Sequence, residues 1–310
     1  MNNKVFLHIG LHKTATTTLQ TQFFHHIKDI NYYWNNNEST RVMIDLIAKN
    51  DPMYFNASAT VARLGAIENN NPILISEESL SGPPFSGERE WGLDNRSNVI
   101  SNMLAAFPSA SVILVLRRQD KFAASIYRQY LKFGGTQPID RFFGVDTEPD
   151  YFGLFSQNKL NFLNYARAIK ASFGNRILLL AFEEFIKTPE TFLSKICAFM
   201  GRETPNIALV RSNETRLGAT GLNIARALNH LFASKHNPGG LLRGIPIIRN
   251  KSLVLKNPMP FLHDNWPYKG KTPNNSNLHT IPKLLLDREK ERNRELDKEF
   301  NLELKNHGYY

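Results

Sequence analysis

The sequence lacks the features that would place it in several large classes of protein. It has a single cysteine, Cys197, among 310 residues, so no disulfide can form within the chain. No apolar run approaches the roughly 18 residues that a bilayer-spanning helix needs. Its 11% aromatic and 21% charged residues are ordinary values for a folded protein. We therefore expect a folded chain without a transmembrane segment, located in a reducing compartment, the cytoplasm.

Acidic residues are also in short supply. The chain carries 28 Asp and Glu against 38 Lys and Arg, which gives a formal net charge of +10. A charge of this size predicts an anionic partner. Because the sequence has no zinc-finger spacing, no aromatic RNA-binding signature and no long basic arm, we expect no nucleic acid. A polyanionic small molecule and an acidic glycan both satisfy the charge.

The segment from Val5 to Gln20, VFLHIGLHKTATTTLQ, combines elements that together can bind an anion. A short apolar strand runs into a turn at Gly10, and Lys13 lies in that turn. A helical pattern follows, whose start offers unpaired N–H groups and hydroxyls that can cap it or bind anion oxygens, those of Thr16, Thr17 and Thr18. The alternative is a strand, turn and helix that bind nothing. The G-x-x-x-x-G-K-[ST] signature of nucleotide phosphate loops is absent.

Two carboxylates follow the next predicted strand, Pro72 to Ser76. Glu77 and Glu78 lie where this strand ends, and ligands of open α/β sheets gather outside the carboxyl ends of strands. These acids are therefore candidates for a general base. They are equally well explained as solvated acids at the start of a helix, where negative charge is favourable.

A third motif joins a strand to a helix. Ser111 to Leu116 (SVILVL) is a continuous apolar run, typical of a strand covered on both faces. Arg117 closes it, and Ser125 lies eight positions later, within a helical pattern. The two side chains can hold one phosphate, Arg as a charged fork and Ser as a neutral donor. The alternative is an ordinary ion-pair arginine.

Strands and helices alternate along most of the chain. A further strand is predicted at Arg176 to Phe182 and a helix at Pro189 to Met200, whereas the polar residues 31–71 predict only helical pieces. This alternation predicts an α/β fold with a central parallel sheet flanked by helices. We expect one domain spanning residues 1–310.

The last quarter of the chain has a different composition. Residues 234–272 carry seven Lys or Arg and one acid, Asp264, which is +6 of the total +10, and they show little periodicity. Long irregular insertions in compact domains are usually functional or disordered. We therefore predict a basic insertion at 234–281 that forms a flap over the site. A closing helix is predicted in residues 282–310, roughly from Pro282 to Lys305.

These motifs resemble those of the sulfotransferases that use 3′-phosphoadenosine-5′-phosphosulfate (PAPS), in particular bacterial and glycan-type members. KTATTT is similar to the family's 5′-phosphosulfate loop, and VILVLRRQDKFAASIYRQY to the element that binds the 3′-phosphate. LISEESL is similar to the strand end that supplies a catalytic Glu, and ERNRELDKEF to the closing helix of bacterial members. The resemblance spans nearly the whole chain and is densest at 5–20, 72–80 and 112–130. It implies a phosphate-loop-like nucleotide-binding fold.

The resemblance also implies roles for individual residues. Lys13 would act on the bridging oxygen and the departing phosphate. Glu78 would be the base, with Glu77 in its place if the alignment slips by one residue. Arg117 and Ser125 correspond to the 3′-phosphate contacts. The residues that correspond to the 5′-phosphosulfate loop are His12, Lys13, Thr14, Ala15, Thr16, Thr17 and Thr18.

The sequence departs from the family pattern at two points. Ala15 replaces the usual loop glycine. Alanine is harmless there if its backbone is right-handed helical, as we expect, and strained if φ is positive. The Arg-Lys-Gly segment by which the cytosolic animal enzymes also hold the cofactor is missing, so that contact must come from elsewhere.

The activity that the resemblance implies is transfer of a sulfuryl group from PAPS to a hydroxyl of a carbohydrate or glycolipid, which can itself be acidic. No metal is expected, because sulfate carries less charge than phosphate and Lys13 supplies the counter-charge. Two alternatives stay open. A phosphate-loop kinase would require ATP and magnesium, and a non-catalytic binder of nucleotides or acidic polymers would need no base.

Overall fold

The computed structural model of the protein describes residues 3–65, 67, 69–84, 95–145, 153–210, 218–249, 252–256, 258, 260 and 276–310. Its central element is a five-stranded parallel sheet with the strand order β2-β3-β1-β4-β5. The strands are β1 (Val5–His8), β2 (Asn31–Trp34), β3 (Ile73–Ser76), β4 (Ser111–Leu116) and β5 (Ile177–Ala181). The α/β fold with a parallel sheet, predicted from the alternation of strands and helices, is confirmed.

Helices connect the strands and cover the sheet. The α-helices are α1 (Thr16–Thr18), α2 (Glu38–Lys49), α3 (Ala57–Val61), α4 (Arg96–Ala106), α5 (Gln119–Lys132), α6 (Ile139–Phe143), α7 (Phe162–Phe173), α8 (Phe182–Lys187), α9 (Pro189–Met200), α10 (Ala219–Leu231) and α11 (Asn277–Phe300). A π-helical turn at Leu19–Phe23 and a 3-10 turn at Phe24–His26 continue α1. Further 3-10 turns lie at Pro52–Tyr54, Ala62–Leu64, Glu78–Ser81, Gln157–Leu160 and Leu304–His307.

The apolar runs of the central strands explain why the sheet is covered on both faces. Every residue of β1 and β4 is buried. Successive side chains of a strand point to opposite faces of the sheet, so adjacent residues of one strand belong to different apolar clusters. Leu7 and Val112 belong to a cluster with residues of α2, α4, α5 and α7. Phe6 and Ile113 belong to a second cluster, with the helical segment after β1 and with α9.

Two predictions about the fold are wrong. The sequence predicts only helical pieces in residues 31–71, but Asn31–Trp34 is an edge strand that pairs with β3. All four of its residues are only half-buried, so it lacks the apolar run that marks a central strand. The sequence also predicts no regular structure in residues 234–272. Two five-residue strands, β6 (Ile245–Arg249) and β7 (Ser252–Lys256), instead pair antiparallel there.

The rest of the chain follows the predictions more closely. β4 and α9 have the predicted bounds. α11 begins and ends about five residues before the predicted limits, and its leucines at 285, 286 and 296 are buried against the body. Most of residues 250–275, to which the flap prediction extends, lie outside the described residues. None of the described helices is long and apolar enough to cross a membrane.

The strand order brings the three sequence motifs together. β1 lies between β3 and β4, so the carboxyl ends of these three strands are side by side at one edge of the sheet. The turn after β1 contains Lys13. Glu77 and Glu78 follow β3, and Arg117 follows β4. The sheet therefore places the candidate residues of all three motifs at the edge where ligands of open α/β sheets bind.

Candidate active site

The loop after β1 has an unusual backbone. Lys13 has φ 69° and Ala15 has φ 59° and ψ 21°, so both lie in the left-handed region. The expectation that Ala15 is right-handed helical is therefore wrong. Its β-carbon is strained in this conformation, which a glycine would adopt without cost. The physical reason is the sharp reversal between β1 and α1, where the chain needs left-handed residues whatever side chain they carry.

This backbone leaves donors available for an anion. Within the described part of the chain, the backbone N–H groups of residues 12–15 donate no hydrogen bond. Successive N–H groups around left-handed residues form a concave nest that binds anions. The side chain of Lys13 adds a full positive charge at the same place. Unpaired backbone donors and a positive charge thus lie together in this loop.

The hydroxyl groups of the loop have different surroundings. Thr14 is buried, and its Oγ1 donates to the carbonyl of Leu11 at 2.5 Å. Thr16 is buried and its Oγ1 has no hydrogen-bond partner among the described residues. Thr17 is exposed and Thr18 is half-buried. The prediction that threonine side chains cap α1 is wrong, because Ala15 occupies the N-cap position and no side chain caps the helix.

Arg117 connects the end of β4 to this loop. Its Nη1 donates to the Lys13 carbonyl at 2.6 Å, and its guanidinium lies 5.0 Å from the centre of the Phe182 ring. The half-buried Ser125 lies in α5, two turns beyond the end of β4. The contact places the charge of Arg117 beside the nest. It also fixes the carbonyl of a left-handed residue.

Glu78 faces the loop from the end of β3. Its Oε1 lies 3.3 Å from Nδ1 of His12, a close contact without the alignment of a hydrogen bond. His12 Nε2 lies 3.1 Å from the Gly82 carbonyl, which can only accept, so Nε2 donates this hydrogen bond. Burial acts to raise the pKa of Glu78, but the contact with His12 and the charge of Lys13 outweigh this effect, so the pKa lies below the usual 4.5. Glu78 is therefore ionised at neutral pH.

Glu77 has a different environment, although it is the adjacent residue. Its Oε1 accepts from the backbone N–H of Ser79 at 3.3 Å and caps the 3-10 turn that follows β3. Burial raises its pKa, and the neighbouring charge of Glu78 adds to the rise, which the bond from Ser79 opposes. The two carboxylates thus have opposite pKa shifts. Glu77 caps the 3-10 turn, whereas Glu78 contacts His12 of the loop.

His8 is a residue that the sequence motifs did not assign to the site. It is the last residue of β1, its side chain is fully buried, and its Nδ1 lies 2.7 Å from Ser76 Oγ. Its ring packs edge-on against Phe24, with the centroids 5.0 Å apart. Burial lowers its pKa to about 3, against a smaller opposing effect of Glu78, so His8 is neutral. The sequence feature that could have drawn attention to His8 is its place within the otherwise apolar run of β1.

A cavity of about 400 Å³ opens beside Glu78. Its lining includes His12, which contacts the Glu78 carboxylate, and Ser79, the next residue in the chain. Its walls also include Lys49, Phe133 and Lys235, and the complete lining is His12, Ala48, Lys49, Ser79, Pro83, Pro84, Gln129, Phe133, Lys235 and His236. The lining is largely apolar with basic groups, and no carboxylate is among these residues. The cavity suits a ligand with an apolar face and negative charge.

Metal-ligating side chains do not cluster in the described part of the chain. No group of three or more His, Cys, Asp or Glu side chains in this part of the chain could hold a metal ion. At one sheet edge, the site combines the loop of residues 12–15, the cationic side chains of Lys13 and Arg117, and the ionised carboxylate of Glu78. Such an arrangement at a strand–loop–helix element is typical of proteins that bind phosphorylated groups.

Comparisons with known proteins identify the family within this class. The sequence profile of the sulfotransferase family matches residues 7–206. The chain belongs to the sulfotransferase family. A comparison with the curated proteins finds no match.

Solved structures similar to this chain are also sulfotransferases. A sulfotransferase from Alicyclobacillus acidocaldarius is 15% identical with a TM-score of 0.48, over 74% of this chain and 93% of that one. Mouse sulfotransferase SULT7A1, solved in complex with PAP (3′-phosphoadenosine-5′-phosphate), is 14% identical with a TM-score of 0.38. The match covers 66% of this chain and 60% of the mouse protein. The sulfotransferase domain from the curacin biosynthetic pathway is 13% identical with a TM-score of 0.38, over 92% and 98%. The family assignment rests on the profile match.

Proposed function

We propose that the protein transfers a sulfuryl group from PAPS to a hydroxyl group of an acceptor. One observation carries this proposal: the nest at residues 12–15 and the ionised carboxylate of Glu78 lie at the same sheet edge, joined through His12. The nest and Lys13 can bind the donor's 5′ group. Glu78 can accept the proton that the acceptor hydroxyl loses. Membership of the sulfotransferase family supports the same reaction class.

The donor is proposed to span two elements. Its 5′-phosphosulfate lies over residues 12–18, where backbone N–H groups, Lys13 and Thr16 provide positive charge and hydrogen-bond donors. Its 3′-phosphate is held at the start of α5 by Arg117 and Ser125. The bond from Arg117 to the Lys13 carbonyl supports this arrangement, because it places the two phosphate-binding elements next to each other.

The chemical step requires one proton acceptor and one stabiliser of the leaving group. The acceptor oxygen forms a bond to sulfur while the bond between sulfur and the 5′-phosphate oxygen breaks. Its electron pair stays on the phosphate of the product, 3′-phosphoadenosine-5′-phosphate (PAP). Lys13 and the nest stabilise that negative charge, and Glu78 takes the hydroxyl proton. As in phosphoryl transfer, positioning and electrostatics supply most of the rate enhancement.

We further propose that the acceptor is a carbohydrate or glycolipid that can carry negative charge. The cavity beside Glu78 supports this class, because its proline and phenylalanine side chains offer apolar faces to a sugar ring or a lipid chain. Lys49 and Lys235 can attract an acidic group. Lys235 and His236 belong to the basic insertion, which supports its proposed role as a flap over the site. We also propose that residues 1–310 form a single domain and that the protein is cytoplasmic.

Transfer from radiolabelled PAPS to a panel of glycans and glycolipids, with and without a chelator, tests this function. We expect labelled product that is insensitive to the chelator. Lys13→Ala should abolish turnover far more than it weakens PAP binding, because Lys13 acts on charge that develops during transfer. Lys28→Ala, which removes the same charge from an exposed position, is the matched control.

The two rival functions give different results in the same experiment. Phosphoryl transfer from ATP that stops when the chelator is added would identify a kinase. Binding of PAPS with no transfer to any hydroxyl would identify a non-catalytic binder. Equal losses of turnover and PAP affinity in Lys13→Ala would reduce Lys13 to a binding residue.

A further inference from the structure

Two buried polar atoms without a partner lie close to each other beneath the anion-binding loop. His8 Nε2 and Thr16 Oγ1 are buried, and neither makes a hydrogen bond to any described residue. A β-carbon built on Gly10 would lie 3.1 Å from His8 Nε2 and 3.2 Å from Thr16 Oγ1. It would also lie 3.0 Å from Thr14 Oγ1. Buried polar groups in native proteins are nearly always hydrogen-bonded, so these two atoms require a partner other than the described residues, either a ligand or a water molecule.

The position of the proton on the neutral His8 imidazole depends on the hydrogen bonds of its neighbour Ser76. Gln20 Nε2 lies 2.9 Å from the Ser76 carbonyl and 3.3 Å from Ser76 Oγ. An amide NH₂ group can only donate, so Ser76 Oγ accepts from Gln20 and can donate its own proton to His8 or to Tyr32, the other side chain that it faces. Ser76 Oγ lies 2.7 Å from His8 Nδ1. If Nδ1 accepts from Ser76, the single proton of the neutral imidazole must be on Nε2.

We propose that His8 is a binding residue for the 5′ group of the donor, donating a hydrogen bond from Nε2 to one of its phosphate or sulfate oxygens. This proposal rests on the proposed function, because it requires an anion in the nest of residues 12–15. Thr16 Oγ1 donates to the same group. The absence of a side chain at Gly10 keeps open the space into which both atoms point.

A buried, neutral histidine is suited to this role. It presents a fixed N–H donor whose charge does not change across the physiological pH range. Its position is set by packing against Phe24 and by the bond to Ser76, rather than by the ligand. The donor is therefore preorganised before the anion binds, and little conformational entropy is lost on binding.

Nitrogen-15 NMR of the imidazole groups in the wild-type protein tests the proposal directly. We expect the His8 resonances to show the Nε2-protonated tautomer at neutral pH. Addition of PAP should shift the Nε2–H resonance, whereas adenosine 3′-monophosphate, which lacks the 5′-phosphate, should not. An Nδ1-protonated tautomer, or equal responses to both nucleotides, would overturn the assignment.

Binding to the same two nucleotides measures the contribution of His8. His8→Phe keeps an aromatic ring against Phe24 but has no N–H, so its affinity for PAP should fall about 10- to 100-fold. Its affinity for adenosine 3′-monophosphate should not change. Ser76→Ala keeps the imidazole but releases Nδ1, so it should lose less PAP affinity and show a mixture of tautomers. This second variant decides the question if His8→Phe does not fold.

Wild-type binding separates failure of this proposal from failure of the proposed function. If the wild-type protein does not bind PAP more tightly than adenosine 3′-monophosphate, no 5′ anion site exists and both proposals fail. If the wild type prefers PAP but folded His8→Phe keeps the same preference, only the role of His8 is wrong.

Discussion

At the scale of single residues, Glu78 and Glu77 show how neighbours in sequence can have different chemistry. Glu78 lies 3.3 Å from His12 and has a lowered pKa, whereas Glu77 accepts from Ser79 and has a raised pKa. Only Glu78 faces the loop that contains Lys13. The surroundings of each side chain, rather than its type, therefore predict which one accepts the acceptor's proton.

We predict that Glu78→Gln lowers turnover about 10²- to 10⁴-fold while PAP affinity survives, because glutamine keeps the size of the side chain but cannot accept a proton. Glu77→Gln should have a mild effect and is the matched control. Steady-state kinetics and calorimetry measure the two quantities. The reverse ranking would assign the base to Glu77, and normal turnover in both variants would require another base.

His8 makes the stability of the protein depend on pH. Its pKa is about 3 in the folded state, because of burial, and the usual value in an unfolded chain is 6.5. Between these values the unfolded state binds a proton that the folded state does not, so stability falls as the pH falls below 6.5. Above that value both states are neutral and the effect disappears.

We predict that lowering the pH from 7 to 5 reduces the free energy of unfolding of the wild type by about 2 kcal/mol more than that of His8→Gln. Glutamine does not titrate, so comparing the two proteins isolates the contribution of His8. Urea denaturation at both pH values gives the measurement. Parallel losses in the two proteins would show that His8 is protonated in the folded state or accessible to water.

At the scale of elements, the junction between β4 and α5 combines a binding role with a structural one. Arg117 donates to the Lys13 carbonyl, whereas Ser125 has no such bond to the loop. The two side chains are proposed to hold the same 3′-phosphate. Removing them should nevertheless have different consequences, because only Arg117 also fixes the nest.

We predict that Ser125→Ala weakens the binding of PAP by about 1 kcal/mol. The binding of adenosine 5′-monophosphate, which lacks the 3′-phosphate, should not change. Arg117→Ala should weaken PAP by about 1.5–3 kcal/mol and also weaken adenosine 5′-monophosphate, because the nest loses its support. Calorimetry with both nucleotides measures these changes. A loss restricted to PAP in Arg117→Ala would show that the nest does not depend on Arg117.

The loop between β1 and α1 carries strain at Ala15, whose φ is 59°. A left-handed alanine costs roughly 1–2 kcal/mol, and glycine avoids this cost but loses more entropy on folding. We therefore predict that Ala15→Gly is neutral or raises the free energy of unfolding by up to about 1 kcal/mol. Ala105→Gly, at an exposed position in the right-handed helix α4, should instead lower it by about 1 kcal/mol. If thermal or urea unfolding shows the same loss of unfolding free energy in Ala15→Gly and Ala105→Gly, Ala15 is not strained.

At the scale of the whole molecule, the proposed acceptor cavity is built from parts of the chain that are distant in sequence. Lys49 ends α2, Phe133 follows α5, and Lys235 belongs to the basic insertion after α10. The cavity exists only because the sheet and its helices bring these segments beside Glu78. Its composition therefore could not be read from any one motif.

We predict that Phe133→Ala raises the KM for the acceptor about 5-fold while PAP affinity stays unchanged, because a half-exposed aromatic wall contributes about 1 kcal/mol to acceptor binding. Ile186→Ala, at an equally exposed apolar residue that does not line the cavity, is the control. An unchanged KM in Phe133→Ala would show that the acceptor binds elsewhere.

The sequence by itself determined the parallel sheet and the location of the three motifs. Buried strands such as Ser111–Leu116 and the helix at Pro189–Met200 have strong local patterns, because each must bury a continuous apolar surface. Residues 12–18, Glu77, Glu78 and Arg117 follow such strands directly. Their meeting at one sheet edge could therefore be expected from the parallel topology.

Only the tertiary structure decided what depends on contacts between distant segments. The edge strand Asn31–Trp34 is held by pairing with β3 rather than by its own half-buried residues. The left-handed backbone of Ala15 follows from the turn that the loop must make. Glu78 is distinguished from Glu77 by His12, and His8 is aimed at the loop by Ser76. Local sequence does not encode these features because the partner residues lie tens of positions away and meet only in the folded chain.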